Sequence, residues 1–414
     1  MKTTLDPARE PWMRTRELVA VMEALTADGN AARLVGGAVR NALLDRDVDD
    51  IDIATQLVPQ EVSRRLEGAA IVALPTGIEH GTITAVLNGR NFEVTTLRRD
   101  VSTDGRRAVV AFSDSWEEDA QRRDFTINAL YAAFDGELFD YNGGIADLAA
   151  GCIRFIGDPV QRIREDYLRI LRLFRFHAWY GKGEIDQQAL AAAAAEREGM
   201  RILSGERIRK ELLRLLAAEN PVPALRVMQQ HRILAEIFPG EADLQRLGRL
   251  VAIDAANFFP PDSLLRLAAL LADDQATAEA LSERLRLSND ERDRLLDVAR
   301  PVQRLEPSLP VRDVRRLLYQ LGQRRFRDRV MLAWANDTKQ SNTIAWRALL
   351  ALADAWVRPR FPLTGREVMA TGIPEGPLVG KVLSQIEEWW IANDFTDDSL
   401  CLAERLKATV QASG

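Results

Sequence analysis

The chain has 414 residues, 47% of them hydrophobic and 28% charged, and a formal net charge of −6. This is the composition of an ordinary globular protein of about three domains, and it excludes wholesale disorder, collagen-like repeats and a disulfide scaffold. No run approaches the ~18 apolar residues that span a bilayer, and a surface for a polyanion would have to come from basic groups concentrated locally.

The opening segment Met-Lys-Thr-Thr-Leu-Asp-Pro has no apolar core and no small-residue cleavage site, so no signal peptide is expected and the expected location is cytoplasmic. An amphipathic stretch from Arg16 to Leu25 precedes a short apolar run, Ala32 to Val35, then Gly36-Gly37 and a helical segment to Leu44. Asp50-Ile51-Asp52-Ile53 alternates with period two, as a strand does. Further strand-like runs are Ala69 to Leu74, Thr82 to Leu87 and Asn91 to Leu97. The segment Asp100 to Ser115 carries the turn signal Asp104-Gly105 and reads as a loop or mobile hairpin. From about residue 157 strand signals vanish, and Leu, Ala, Arg and Glu recur at helical spacing to residue 411. Helix ends are expected near Gly181-Lys182-Gly183, Asn220-Pro221, Phe259-Pro260-Pro261, Glu306-Pro307 and Pro359 to Pro362.

The charge is uneven. Residues 161–216 hold 12 Lys and Arg against 8 Asp and Glu, a modest sign of a phosphate-facing surface. Cys152 and Cys401 form no C-x-x-C pair and are expected as reduced thiols. With only His80, His177 and His231, none followed by Asp, neither a multi-histidine metal centre nor an HD phosphohydrolase is expected.

Alternation puts Asp50 and Asp52 on one face of their strand, with Ile51 and Ile53 turned to a core. In Asn91-Phe92-Glu93-Val94-Thr95 the same logic buries Phe92 and Val94 and turns Glu93 the other way. If the two strands are neighbours, Asp50, Asp52 and Glu93 form a cluster of carboxylates that repel one another unless a cation sits between them. Mg²⁺ takes hard oxygen ligands, commonly one or two carboxylates plus substrate phosphates, and the cluster suits a two-metal mechanism. A lone D-x-D is as readily the solvated face of an edge strand. Here Gly36-Gly37-Ala38-Val39-Arg40 precedes it between strand and helix. The glycines let backbone N–H groups approach a polyphosphate, and Arg40 can fork onto phosphate oxygens.

Taken with Arg122-Arg123-Asp124-Phe125-Thr126-Ile127-Asn128, Asp140 to Leu148, Glu165 to Phe176 and Ser204 to Ile208, in that order, the chain resembles the class II tRNA nucleotidyltransferases and bacterial poly(A) polymerases of the polymerase β superfamily. Coverage is dense from about residue 33 to 215 and thinner beyond, where Gly372 to Gly380 is similar to the family's tail segment. The resemblance implies an α/β head of polymerase β-like nucleotidyltransferase fold, a small mixed sheet with helices, over residues 1–156. An elongated all-α part would follow: a neck at 157–220 and an RNA-binding body and tail at 221–414. It implies template-independent addition of CCA to the 3′ end of tRNA from CTP and ATP. Asp50, Asp52 and Glu93 would be catalytic, with Mg²⁺ on Asp50 and Asp52.

For nucleotide binding the resemblance implies Gly36, Gly37 and Arg40 at the phosphates, Arg123 on phosphate, and Asp124 and Asn128 on the ribose hydroxyls. Asp166 and Arg169 would read the base, and Arg172 and Arg175 would steady the triphosphate or the motif. The pairing has a chemical basis: Asp only accepts and Arg only donates. Cytosine and adenine offer an amino donor beside an acceptor nitrogen, whereas uracil and guanine present a carbonyl and an N–H. A plain i, i+3 ion-pair ladder is the alternative for this helix. The flexible element at Asp100 to Ser115 is associated in the family with the switch from C to A addition. One departure is Asn41, where the family usually carries Asp; this would weaken an ion pair in the head while keeping an acceptor oxygen. The remaining alternatives are a poly(A) polymerase, an enzyme adding only CC or only A, and a non-catalytic RNA-binding module. Neither a membrane nor an obligate protein partner is expected.

Overall fold

The computed structural model describes residues 2, 4–27, 32–104, 107–271, 274–300, 305–339 and 342–413. They divide into two compact units, Met1–Ala242 with Glu283–Arg286, and Asp243–Ser282 with Leu287–Gly414. The expected head and neck both fall in the first unit, and the segment expected as body and tail is divided at Ala242, its larger part in the second.

The first unit is built on a seven-stranded mixed sheet. Its strands in chain order are β1 (Ala32–Val35), β2 (Asp52–Thr55), β3 (Val72–Gly77), β4 (Thr82–Leu87), β5 (Arg90–Thr96), β8 (Leu130–Ala132) and β9 (Leu138–Asp140); between them in sequence, β6 (Arg98–Asp104) and β7 (Arg107–Phe112) form a separate antiparallel hairpin. The spatial order is β3-β4-β5-β2-β1-β8-β9. The β2–β5 pair is parallel and the rest are antiparallel. Alternation buries Ile53, Ile83, Ala85, Phe92 and Val94. α1 (Arg16–Thr26), α2 (Gly37–Leu43) and α3 (Pro59–Gly68) follow in the head, and α1 and α3 pack together through Leu18, Val21, Met22, Leu25, Val62 and Leu66, all buried.

The expected strand at Asp50 is shorter than its alternation. β2 begins at Asp52, because β1 ends at Val35, the last residue that pairs with it, and the chain then turns at Gly36. Asp50 therefore precedes the strand and is exposed. β8 and β9, three residues each, lie in an apolar stretch too short to show a period. The hairpin expected between Asp100 and Ser115 is present as β6 and β7, while Gly105 of its turn lies outside the described residues.

The first unit continues in α4 (Trp116–Gln121), α5 (Gly144–Ala150), α6 (Pro159–Glu165), α7 (Leu168–Tyr180), α8 (Gln187–Ala195), α9 (Gly205–Leu216) and α10 (Val222–Gln230), and the second unit runs helically from α11 (Leu244–Asn257) to α20 (Ser399–Ser413). Among the described residues no strand follows β9. The expected Pro and Gly breaks fall between helices. The segment Glu165 to Phe176 is not one helix. Asp166 is extended, with φ −157° and ψ 104°. Its carboxylate accepts the N–H of Leu168 at 3.1 Å, a local bond that competes with helix continuation. Both cysteines are free. No helix of the described residues is long and apolar enough to cross a membrane.

Candidate active site

Register brings the acidic groups together. On the parallel strands β2 and β5, Asp52 stands directly opposite Glu93, so both side chains leave the same face of the sheet. Burial, then Glu93, push the Asp52 carboxyl up to about 6; Arg123 opposes the shift and Asp50 adds to it. Three carboxylates thus act on one point. Among the described residues, no three carboxylate, histidine or cysteine groups close as a finished ligand cage. Hard carboxylate oxygens crowded around Asp52 suit a hard divalent cation completed by phosphate oxygens.

Beside them is the glycine turn. Gly36 has φ +71°, a conformation L side chains rarely adopt. A Cβ placed there would lie 3.8 Å from Nη1 of Arg123 and 3.6 Å from the Asn128 carbonyl. Arg123 is held from behind. Its Nε donates to Asp119 at 3.2 Å and to the Tyr131 hydroxyl at 3.1 Å, and its Nη2 to Asp119 at 3.1 Å. This leaves Nη1 toward the glycine turn.

Arg40 departs from its expected place on a phosphate. It lies on the inward face of α2 and is 7% exposed. It donates to Asn128 Oδ1, to the Tyr180 hydroxyl at 2.9 Å and to Asn41 Oδ1 at 3.2 Å, and its guanidinium stacks on the Tyr180 ring at 4.2 Å. Arg40 ties the glycine turn to Asn128 and α7. Asn41 accepts from both Arg40 and Tyr180 through its amide oxygen.

Asp124 and Asn128 are joined to the same network. Asp124 Oδ1 accepts from the Phe125 N–H at 2.9 Å and from Asn128 Nδ2 at 3.0 Å, and Oδ2 accepts from Arg172 Nε at 2.6 Å. Burial alone would raise the Asp124 carboxyl; Arg172 and the hydrogen bonds outweigh it and hold it at about 2. At Asp119, burial is likewise outweighed by Arg123 and Arg122, leaving about 2. Both groups ordinarily titrate near 3.8. A carboxyl lowered on folding adds stability that is complete above its unfolded value and lost as the pH falls through the folded one. The melting temperature is therefore expected to hold down to about pH 4 and to fall steeply from there to about pH 2. Asp124→Asn should flatten that descent in a calorimetric pH series; an unchanged slope would show that the acid transition lies elsewhere.

The arginines of α7 are distributed differently from a ladder. Arg169 donates to Glu165 at 2.5 Å and to the Arg162 carbonyl at 2.7 Å. Arg172 meets Asp124, and Arg175 contacts Glu211 at 2.6 Å. Asp166 pairs with Arg207 at 2.7 Å rather than with Arg169. Four residues that the sequence left without a role are thereby structural partners of the site: Asp119, Tyr180, Arg207 and Glu211. The signals were weak but present, Asp119 standing three and four residues before Arg122 and Arg123, and Glu211 one helical turn after Arg207.

Glu211 is 4% exposed. Burial lowers Arg175 to about 10 against the opposing pull of Glu211. Glu211→Gln is expected to cost about 2 kcal/mol, as for a lost charged contact, read as a lower urea midpoint at unchanged m-value. No change in midpoint would mean that the pair is solvated.

Comparison with known proteins follows the same outline. Residues 32–154 match the family described as poly A polymerase head domain, and residues 184–244 match a probable RNA and SrmB-binding site of polymerase A. The chain is 34% identical to the Mus musculus mitochondrial CCA tRNA nucleotidyltransferase 1 over 95% of its own length and 91% of the relative's. It is 31% identical to the CCA-adding enzyme of Latilactobacillus sakei, over 94% and 97%. The fold superposes on the Bacillus stearothermophilus CCA-adding enzyme solved with CTP at a TM-score of 0.76, with 24% identity, over 96% of this chain and 98% of that one.

Proposed function

We propose, for a chain that belongs to the CCA-adding tRNA nucleotidyltransferase family, that it adds C, C and A to the 3′ end of tRNA from CTP and ATP. The tRNA 3′ hydroxyl attacks the α-phosphorus of the bound nucleotide. A new phosphodiester P–O bond forms, the bond to the β-phosphate bridging oxygen breaks, and pyrophosphate leaves. The observation that carries this reading is the in-register meeting of Asp52 with Glu93, with Asp50 adjacent and Arg123 aimed at the glycine turn.

Asp50 and Asp52 would hold Mg²⁺, which when bound supplies an activated hydroxyl and charge for the leaving pyrophosphate. Glu93 is the third carboxylate, opposite Asp52, and would take the attacking hydroxyl's proton. The Gly37 amide and Nη1 of Arg123 would receive phosphate oxygens, the Gly36 N–H being held by the Leu130 carbonyl at 3.0 Å. Arg40, Asn128, Asp124 and Arg172 hold that wall rigid; Asn128 and Asp124, expected on the ribose hydroxyls, are bonded to each other and to Arg40 and Arg172. Asp166 and Arg169 read the Watson–Crick edge. Arg175, tied to Glu211, braces α7 rather than reaching a phosphate. The second unit contributes shape and phosphate contacts to tRNA, and the β6–β7 hairpin supports passage from C to A addition.

The test is extension of tRNA lacking its 3′ CCA with CTP and ATP in Mg²⁺ buffer, followed by sequencing of the products. Addition of CCA that stops at full length supports the reading. Long A tracts on arbitrary RNA would instead identify a poly(A) polymerase, and products ending in CC a partial enzyme.

A further inference from the structure

Asp50 belongs to a loop and not to the sheet. The loop runs from Leu44, at the end of α2, to Ile51, the residue before β2. Asp45 turns the chain with φ +55°, and its carboxylate meets Lys2 Nζ at 2.8 Å. The Arg46 N–H donates to the Asn41 carbonyl at 2.9 Å, and the Arg46 guanidinium lies 4.8 Å over the Tyr180 ring. The Asn41 side chain reaches one residue further: its Nδ2 donates to the Asp47 carbonyl at 3.0 Å. Among the described residues, Val48, Asp49 and Asp50 make no hydrogen bond, and the next fixed point is Ile51, buried at 8% exposure.

We propose that Asn41 is a positioning residue for the metal site: its amide nitrogen, by holding the Asp47 carbonyl, fixes the loop that presents Asp50 beside Asp52. The inference deepens the reading of Asp50 and Asp52 as Mg²⁺ ligands and rests on it. Mg²⁺ demands near-ideal geometry from its oxygens. A ligand loop ordered before the ion arrives spares binding the entropy of ordering it. Asp47 is the last point at which that loop is held before Asp50.

The direction of the amide is fixed by its neighbours. Arg40 Nε and Nη2 donate to Asn41 Oδ1 at 3.3 and 3.2 Å, and the Tyr180 hydroxyl donates to it at 3.1 Å. That hydroxyl itself accepts from Arg40 Nη2 at 2.9 Å, so its proton is left for Asn41. A nitrogen in place of Oδ1 would face only donors. Nδ2 therefore takes the other side, toward the Asp47 carbonyl. One amide thus joins Arg40, behind the glycine turn, to the loop of Asp50. An aspartate at this position would keep the bonds to Arg40 and Tyr180. It would have no proton for Asp47, and would set a carboxylate oxygen against a carbonyl.

The test uses the full chain and three variants, Asn41→Asp, Asn41→Leu and Asp52→Ala. Hydrogen exchange is followed by mass spectrometry over residues 44–50, where the amides of Leu44, Asp45 and Arg46 are bonded to α2. Mn²⁺ binding without nucleotide is followed by electron paramagnetic resonance. Asn41→Asp, which loses the donor and keeps the acceptor, should speed exchange of those amides about tenfold, the scale of one lost hydrogen bond. It carries the test should the Leu variant not fold. Asn41→Leu should speed exchange as well and, adding no charge near the cation, should raise the Kd for Mn²⁺ about tenfold. Parent-like exchange in Asn41→Asp, or faster exchange in Asn41→Leu with an unchanged Kd, overturns the proposal. If Asp52→Ala abolishes Mn²⁺ binding while both Asn41 variants behave as the parent, the metal site stands and only the role of Asn41 fails. If Asp52→Ala binds Mn²⁺ as tightly as the parent, both fall.

Discussion

Asp52→Ala is expected to lower nucleotide incorporation into tRNA by about a thousandfold or more, without loss of folded protein. The size follows from what the residue is asked to supply. A carboxylate that holds a catalytic cation contributes several kcal/mol of transition-state stabilisation, and each 1.4 kcal/mol or so is tenfold in rate. The absence of a folding penalty follows from its surroundings. Burial and Glu93 already oppose ionisation of Asp52, so its charge is unfavourable in the protein without a cation, and removing it relieves repulsion. Asp52→Asn, which keeps the shape, should behave alike. Single-turnover extension and a thermal melt measure both halves. Near-normal turnover would show that the metal site is elsewhere; a sharp fall in melting temperature would show that Asp52 is a structural group.

The second large effect is on fidelity. Asp166→Ala should lower the preference for C over U by about a hundredfold, within the 1–3 kcal/mol range of a bidentate base contact, while KM for CTP rises less than tenfold because triphosphate contacts lie on other residues. In the proposed reading Asp166 supplies the acceptor that an amino group needs, and Arg169 supplies donors. Arg169 is itself steadied by Glu165 and the Arg162 carbonyl, so its direction survives the loss of Asp166. The variant should therefore accept several bases rather than stop working. Complete exclusion of UTP and GTP by Asp166→Ala would refute base reading by this pair. Equal losses with all four nucleotides would place Asp166 in the scaffold.

Much of this was legible before any coordinates. The apolar run at Ala32 and the strand-like run at Thr82 are both strands, and alternation correctly buries Phe92 and Val94 with Glu93 exposed. Asn41 retains the acceptor function that its amide oxygen allows. What misled was partner choice. The spacing of Asp166, Arg169, Arg172 and Arg175 reads as one stripe. In the fold, the first residue breaks the helix and pairs with α9, and the last two are tied to Asp124 and Glu211. Arg40, a good phosphate ligand by type and place, spends its donors on Asn128, Tyr180 and Asn41.

The chain by itself determined which chemical groups are present, in what order, and on which kind of local element. Period-two alternation, a glycine pair and a D-x-D are short-range features, set by backbone sterics within a few residues. Only the tertiary structure decided which of those groups meet. The register of β2 on β5 sets Asp52 opposite Glu93, and the packing of α9 on α7 delivers Arg207 to Asp166. A charged side chain carries no local record of a partner on a distant segment. It is settled by the desolvation of both groups when distant segments pack, and by the rule that a buried charge must be paired.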